Sequence, residues 1–200
     1  EGFGSLEGVR KGKGELYDYL RAHNGTAFVM WDYDYLREMS TGIPHIVKYG
    51  TGNADTIGAL RKSEPFLEVE VNGNVIQTRL VGEYNLPNVL VAAAIGKYFK
   101  IGDDSIKKAI EAYIPSNSRS QLIEKGTNKI ILDAYNANPT SMKAAIENFA
   151  KLHDPQKVLV LGAMMELGTA SKMEHETLVD LIKTGQWAEV ILVGGDFGKV

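Results

Sequence analysis

The sequence predicts an α/β chain in two parts, with a division near residue 117. Three observations carry this reading. An Asn-Gly turn joins two short apolar runs in the first part, a polar Pro115-Ser116-Asn117-Ser118 stretch interrupts the middle, and three β-branched runs alternate with helical segments after it.

Within residues 1–117, 5–22 reads as a helix whose apolar face is Leu6, Val9, Leu16, Tyr17 and Leu20. Residues 26–31 read as a short apolar strand and 33–39 as a brief helix. The runs 66–71 and 75–81 alternate apolar and polar side chains, and Asn72-Gly73-Asn74 between them supplies the positive φ of a hairpin turn. Residues 84–99 form an alanine-rich helix and 103–113 an amphipathic one. Within 118–200, strands are expected at 129–133, 157–161 and 189–193, with helices at 139–152 and 171–183. That βαβαβ order implies a parallel sheet with right-handed crossovers. Asn138 is placed as the N-cap of the first of these helices, with Pro139 at its first position. Ser171 and Glu174 have capping-box spacing at the second.

Bulk composition narrows the function classes. With 200 residues and 44 % hydrophobic content, the chain is long enough to bury a core without cross-links. It has no cysteine, which removes disulfide frameworks and thiolate metal sites and fits a cytoplasmic setting. A net charge of -3 with dispersed basic residues argues against a nucleic-acid surface. No apolar run approaches the ~20 residues of a membrane span, and no signal peptide is read. The sequence opens at Glu1 without methionine and stops soon after an apolar strand, which predicts a piece of a longer polypeptide.

Four stretches carry candidate chemistry. Lys13 follows Val9 by four residues and precedes Leu16 by three, so the helix turns it toward the apolar face, and Gly12 and Gly14 flank it. One reading is a lysine snorkelling from the core edge. The other is an amine kept neutral by burial and by Lys11, able to take up carbon dioxide as a carbamate, an oxygen ligand suited to magnesium. Asn85 and Asn88 lie three apart at a helix start; their amides suit the edge of an adenine ring, or they cap the helix. Asp133, Tyr135, Asn136 and Asn138 gather at the C-terminal end of an expected parallel strand, the edge where open α/β sheets bind ligands. Capping accounts for Asn138-Pro139, so the functional weight falls on the other three. Arg119, just after the polar stretch, is placed to reach a phosphate or to form a surface ion pair. Last, Glu166 lies between Gly162 and Gly168 after a strand, and His175 follows on a helix. A lone histidine there is expected to be solvent-exposed and structural; a binding loop is the alternative.

Together these stretches resemble the Mur ligase family, and within it the branch that adds D-alanyl-D-alanine. Four blocks match in order. They are Glu1-Gly2-Phe3-Gly4-Ser5-Leu6-Glu7 with Lys11-Gly12-Lys13-Gly14-Glu15, the Asn85/Asn88 block, Asp133 through Met142, and Met165-Glu166-Leu167-Gly168 with His175. The most specific part is Tyr135-Asn136-Ala137-Asn138-Pro139-Thr140-Ser141-Met142, where sister ligases differ. Ala134 and Ala163 depart from the family, which often has a polar or acidic residue there.

The resemblance implies a three-domain ATP-dependent enzyme, cytoplasmic and monomeric, of which 1–117 is the later central ATPase-type domain and 118–200 the first part of a Rossmann-like C-terminal domain. It implies ATP and magnesium as cofactors, with UDP-N-acetylmuramoyl-tripeptide and D-alanyl-D-alanine as substrates. Lys13 matches the family's carbamylated metal-site lysine. Asn85 and Asn88 match adenine-side residues, and Arg119 and Asp133 match nucleotide contacts of the closing domain. Tyr135, Asn136 and Asn138 fall on the cofactor side, Glu166 and His175 on the substrate side. No Gly-x-x-x-x-Gly-Lys-Ser/Thr phosphate loop occurs in the 200 residues, so this stretch alone is expected to bind ATP weakly and to lack ligase activity. The competing readings are a related amide ligase, such as a folate polyglutamate synthetase, and a non-catalytic nucleotide-binding module.

Overall fold

A computed structural model describes residues 6–116 and 118–200, with the side chain of Leu6 left aside. Residues 1–5 of the first matching block, and Asn117, lie outside the described residues. The chain divides into two compact units, one holding 6–116 with 120–131 and the other 118–119 with 132–200.

The first unit begins with α1 (Leu6–Ala22), β1 (Thr26–Met30), α2 (Asp34–Ser40), β2 (His45–Gly50) and β3 (Thr56–Lys62). It continues through β4 (Glu68–Val71), β5 (Asn74–Gln77), a 3-10 turn at Glu83–Asn85, α3 (Leu86–Tyr98) and α4 (Asp103–Ala112). The five strands form one sheet in sequential order, with β1–β2 and β2–β3 parallel and β3–β4 and β4–β5 antiparallel. The expected hairpin is β4–β5. Val71 pairs with Asn74, which leaves Asn72 and Gly73 as a two-residue loop with φ of 46° and 83°. Both angles are positive, as the primed turn that matches strand twist requires.

Strands β2 and β3 are not among the expected elements. Four of the six β2 residues are half-buried, so no period-two contrast marks that strand. Strand β3 is interrupted by Gly58, where an added Cβ would lie 2.3 Å from Leu90 Cδ2 and 2.8 Å from the Glu70 carbonyl oxygen. Glycine there lets α3 approach the sheet. The core beneath α3 is Leu67, Val69, Val71, Ile76, Val89, Leu90, Ala93 and Ile106. A smaller cluster, Ala27, Val29 and Ile43, packs against Tyr17 and Leu20 of α1.

After Ser120 come β6 (Gln121–Lys125) and β7 (Asn128–Leu132), which are hydrogen-bonded to each other in a two-stranded sheet. The second unit then has α5 (Pro139–Lys151), β8 (Val158–Gly162), a 3-10 turn at Gly168–Ala170, α6 (Ser171–Lys183) and β9 (Glu189–Val193). The β7–α5–β8–α6–β9 order is as expected, and β8 pairs parallel to β9. The expected pairing of β7 needs correction: its described neighbour is β6, a strand not anticipated. The two-residue Gly126-Thr127 connection, with φ of 62° at Gly126, holds β6 and β7 as a hairpin. The second core is Met142, Ile146, Leu159, Met164, Leu178, Ile182 and Phe197.

The two helix starts of this unit behave differently. Asn138 caps α5 as expected: its Oδ1 accepts from the Ser141 N–H at 2.9 Å, and Ser141 Oγ accepts from the Asn138 N–H at 3.3 Å. The capping box expected at Ser171 is not formed. The 3-10 turn runs straight into α6, so Ala170 and Ser171 are both right-handed helical and neither has the extended backbone of a cap. Among the described residues, no helix is long and apolar enough to cross a membrane.

Candidate functional site

Lys13 sits near the middle of α1 and is exposed. The expectation that the helix turns it toward the apolar face is corrected. Tyr17 and Leu20 are the α1 side chains packed on the small core, and Lys13 lies beside that stripe in solvent. The burial on which the carbamate reading leaned is therefore absent here. Among the described residues no three His, Cys, Asp or Glu side chains are grouped to hold a metal. Magnesium asks for about six oxygen ligands, so the described residues do not by themselves make a magnesium site.

Near α1, a tyrosine group occupies the C-terminal ends of the parallel strands. Burial first, and Tyr35 second, raises the Tyr17 hydroxyl above the usual range. Burial likewise raises Tyr49, with Tyr17, Tyr33 and Tyr35 adding to it. Beside it, the Asp32 carboxylate accepts from the Thr51 N–H at 2.8 Å and its hydroxyl at 2.9 Å. The one sequence signal for this group was an acidic residue directly after an apolar strand.

At the start of α3, Asn88 Nδ2 donates to Asn85 Oδ1 at 2.9 Å, and Asn85 Nδ2 donates to the Val81 carbonyl at 2.8 Å. Asn85 is buried and Asn88 exposed. Neither amide makes a side-chain cap on this helix. The pair forms a relay from the backbone to the surface, with Asn88 as its outer end. The neighbouring Tyr84 hydroxyl lies 2.8 Å from Ser120 Oγ.

In the second unit, the Arg119 guanidinium lies over the Tyr135 ring, 3.7 Å from its centroid. The Ala134 N–H donates to the Ser118 carbonyl at 2.8 Å, which ties the segment before Arg119 to the one after β7. The structure thus brings Arg119, Asp133 and Tyr135 into one exposed group. A cation over an exposed ring contributes about 0.5–1 kcal/mol, enough to bias where the guanidinium sits. Asn136 and Asn138, also exposed, are engaged by neighbouring backbone instead: Asn136 Oδ1 accepts from the Ala137 N–H at 2.9 Å, and Asn138 caps α5. Asn138→Ala is expected to lower stability by about 1 kcal/mol, with Asn138→Asp retaining most of it; chemical denaturation checks this, and it separates the cap from any contact to a ligand.

Glu166 is exposed on the loop after β8, at a φ of 62° that non-glycine residues rarely adopt. The expected solvent-exposed histidine is the reverse of what is found. His175 is fully buried, with the Met164 N–H donating to its Nε2 at 3.0 Å and its Nδ1 lying 2.7 Å from the Ser171 carbonyl oxygen. Behind it, Asp196 is held below the usual carboxylate range, chiefly by its hydrogen bond from Lys199.

Comparison with known proteins gives the chain its relatives. Residues 1–96 match the Mur ligase middle domain, and residues 118–199 match the Mur ligase, glutamate ligase domain. The UDP-N-acetylmuramoyl-tripeptide–D-alanyl-D-alanine ligase of Bacillus subtilis is 32 % identical over 177 residues, covering 86 % of this chain and 38 % of its own. The ligase of the same name from Escherichia coli is 32 % identical over 204 residues, covering 97 % of this chain and 45 % of its own. The crystal structure of MurF from Acinetobacter baumannii superposes with a TM-score of 0.81 at 27 % identity, over 96 % of this chain and 43 % of that one. The chain spans less than half the length of these relatives. Two consecutive Mur ligase domain matches and the shared mixed α/β fold lead to one conclusion: this chain belongs to the Mur ligase family.

Proposed function

We propose that the protein carrying this chain is an ATP-dependent ligase that joins D-alanyl-D-alanine to UDP-N-acetylmuramoyl-tripeptide. The observation that carries the proposal is the match of 97 % of this chain, across both domain types, to a ligase of that name. In this reading, residues 1–117 are the later part of the central ATP-binding domain and 118–200 the first part of the Rossmann-like C-terminal domain. The enzyme works as a cytoplasmic monomer.

The chemistry follows from what a carboxylate and an amine require. ATP transfers its γ-phosphoryl group to the tripeptide carboxylate, and the dipeptide amine attacks the acyl phosphate through a tetrahedral intermediate, releasing phosphate. Such reactions depend on positioning and charge neutralisation. Arg119, steered by Tyr135, offers a fixed cation to phosphate oxygens. Asp133 approaches the nucleotide from the same group, with Asn136 and Asn138 shaping the backbone around it. Asn88, backed by Asn85, offers an amide to the adenine edge. Glu166 presents a carboxylate to the dipeptide's ammonium. Lys13, exposed, would hold magnesium as a carbamate, formed when its uncharged amine adds carbon dioxide and gives up a proton to solvent; magnesium, when bound, would neutralise phosphate charge.

The test is phosphate release by the full-length protein supplied with ATP and magnesium. Release that requires both the UDP-linked tripeptide and D-alanyl-D-alanine, with pentapeptide formed in equal amount, is expected. Release that requires a folate and glutamate instead would assign it to the related amide ligases. Nucleotide binding with no turnover on either pair would favour the non-catalytic module.

A further inference from the structure

We propose that His175 is a positioning residue: it fixes the base of the Ala163-to-Gly168 loop and so sets where Glu166 stands. The inference rests on the reading above, in which Glu166 meets the dipeptide, and it removes His175 from direct contact with any substrate.

The imidazole has no exposed surface. Its Nδ1 faces the Ser171 carbonyl, which can only accept, so Nδ1 carries the proton. Its Nε2 receives the Met164 N–H and must therefore present a lone pair. Both ring nitrogens are thus used inside the fold, with the ring edge against Phe197 at 4.8 Å between centroids. Nothing on it remains for a ligand.

What it holds is the base of one loop. The Ala163 N–H donates to the Val193 carbonyl at 2.8 Å. Gly194 lies so close that a Cβ there would be 2.6 Å from Ala163 Cβ. Met164 is fixed twice, by its N–H on His175 and by a side chain only 1 % exposed. Beyond that point the chain emerges: Met165 is 73 % exposed, and Glu166 and Gly168 both take positive φ. Only Met165 lies between the last pinned amide and Glu166, so the placement of its carboxylate follows the Met164 N–H. Without an acceptor, that buried N–H must reach water, and the loop must shift to allow it.

Two replacements separate the hydrogen bond from simple filling of space. Glutamine places its Oε1 at the same bond count from Cβ as Nε2, so His175→Gln keeps an acceptor for Met164. Asparagine places its Nδ2 where Nδ1 was, so His175→Asn keeps only the bond to Ser171. In the full-length enzyme, His175→Asn is expected to raise KM for D-alanyl-D-alanine about tenfold, as one buried unpaired donor would cause. Its kcat should change less than its KM, and His175→Gln should stay within about threefold of the wild type in KM, the retained acceptor keeping the loss under 1 kcal/mol. Hydrogen exchange across residues 163–168 should be faster in His175→Asn and near wild type in His175→Gln. Equal KM and equal exchange in the two variants would overturn the proposal and leave His175 as packing alone. If the wild type shows no ligase turnover, the ligase reading fails by itself. The exchange comparison then still decides the loop lock, and unequal exchange supports it while equal exchange overturns it.

Discussion

Lys13→Ala in the full-length enzyme is expected to lower turnover about 100-fold or more, the scale on which one fixed charge at a reacting centre acts. Small carboxylates such as formate or acetate should restore part of the loss. Alanine leaves a gap where the carbamate lay, and a free carboxylate can carry the same charge into it. The structure sharpens this test. Lys13 is exposed on α1, while Tyr17 and Leu20 make the contacts with the core. Truncating an exposed side chain usually changes stability by less than ~0.5 kcal/mol. A large loss of turnover with an unchanged thermal midpoint would therefore be a loss of chemistry. Enrichment with carbon-13 bicarbonate gives an independent readout, since a carbamate on Lys13 adds a carbonyl resonance that Lys13→Ala must lack. Turnover near wild type, with no added resonance, would leave Lys13 as a solvated surface lysine.

How much of this was legible in the sequence depended on whether the deciding interaction was local. Asn72-Gly73 announced its hairpin because a two-residue primed turn admits few residue types. Asn138-Pro139 announced the start of α5 because a cap and its helix are neighbours in the chain. Strand β2 was silent because both its faces are partly covered, which erases the alternation that marks a half-buried strand. Strand β3 was silent because Gly58 answers to Leu90, more than thirty residues away. The Ser171–Glu174 spacing misled for a related reason: capping needs extended backbone at Ser171, and the preceding 3-10 turn supplies helical backbone instead.

The candidate site divided the same way. The residue types at Arg119, Asp133 and Tyr135 pointed to a ligand edge, but the stacking of Arg119 on Tyr135 is a tertiary contact that no spacing encodes. Spacing put Asn85 beside Asn88 without showing that the first serves the second. His175 was the least legible. Its acceptor role is toward the backbone of Met164, and a main-chain N–H leaves no mark in a sequence.

Asp133→Ala is expected to lower kcat/KM for ATP by about 10- to 100-fold, the loss of one or two charge-assisted hydrogen bonds, with a much smaller effect on folding. Asp133 follows the last residue of β7 and is exposed, so no core contact leaves with it. What surrounds it is polar and cationic: the Ala134 N–H is tied to Ser118, and Arg119 sits over Tyr135 one residue further on. A carboxylate in that place can orient a ribose hydroxyl while the guanidinium meets phosphate, a division of labour that suits a nucleotide. Asp133→Asn separates charge from shape. If the carboxylate accepts from neutral hydroxyls, the amide should recover part of the loss, since it keeps one acceptor oxygen. If its negative charge is what matters, Asp133→Asn should resemble Asp133→Ala. Thermal midpoints measured on the same preparations complete the test. Parallel losses of midpoint and turnover would show that Asp133 holds the end of β7 in place and would remove it from the nucleotide site.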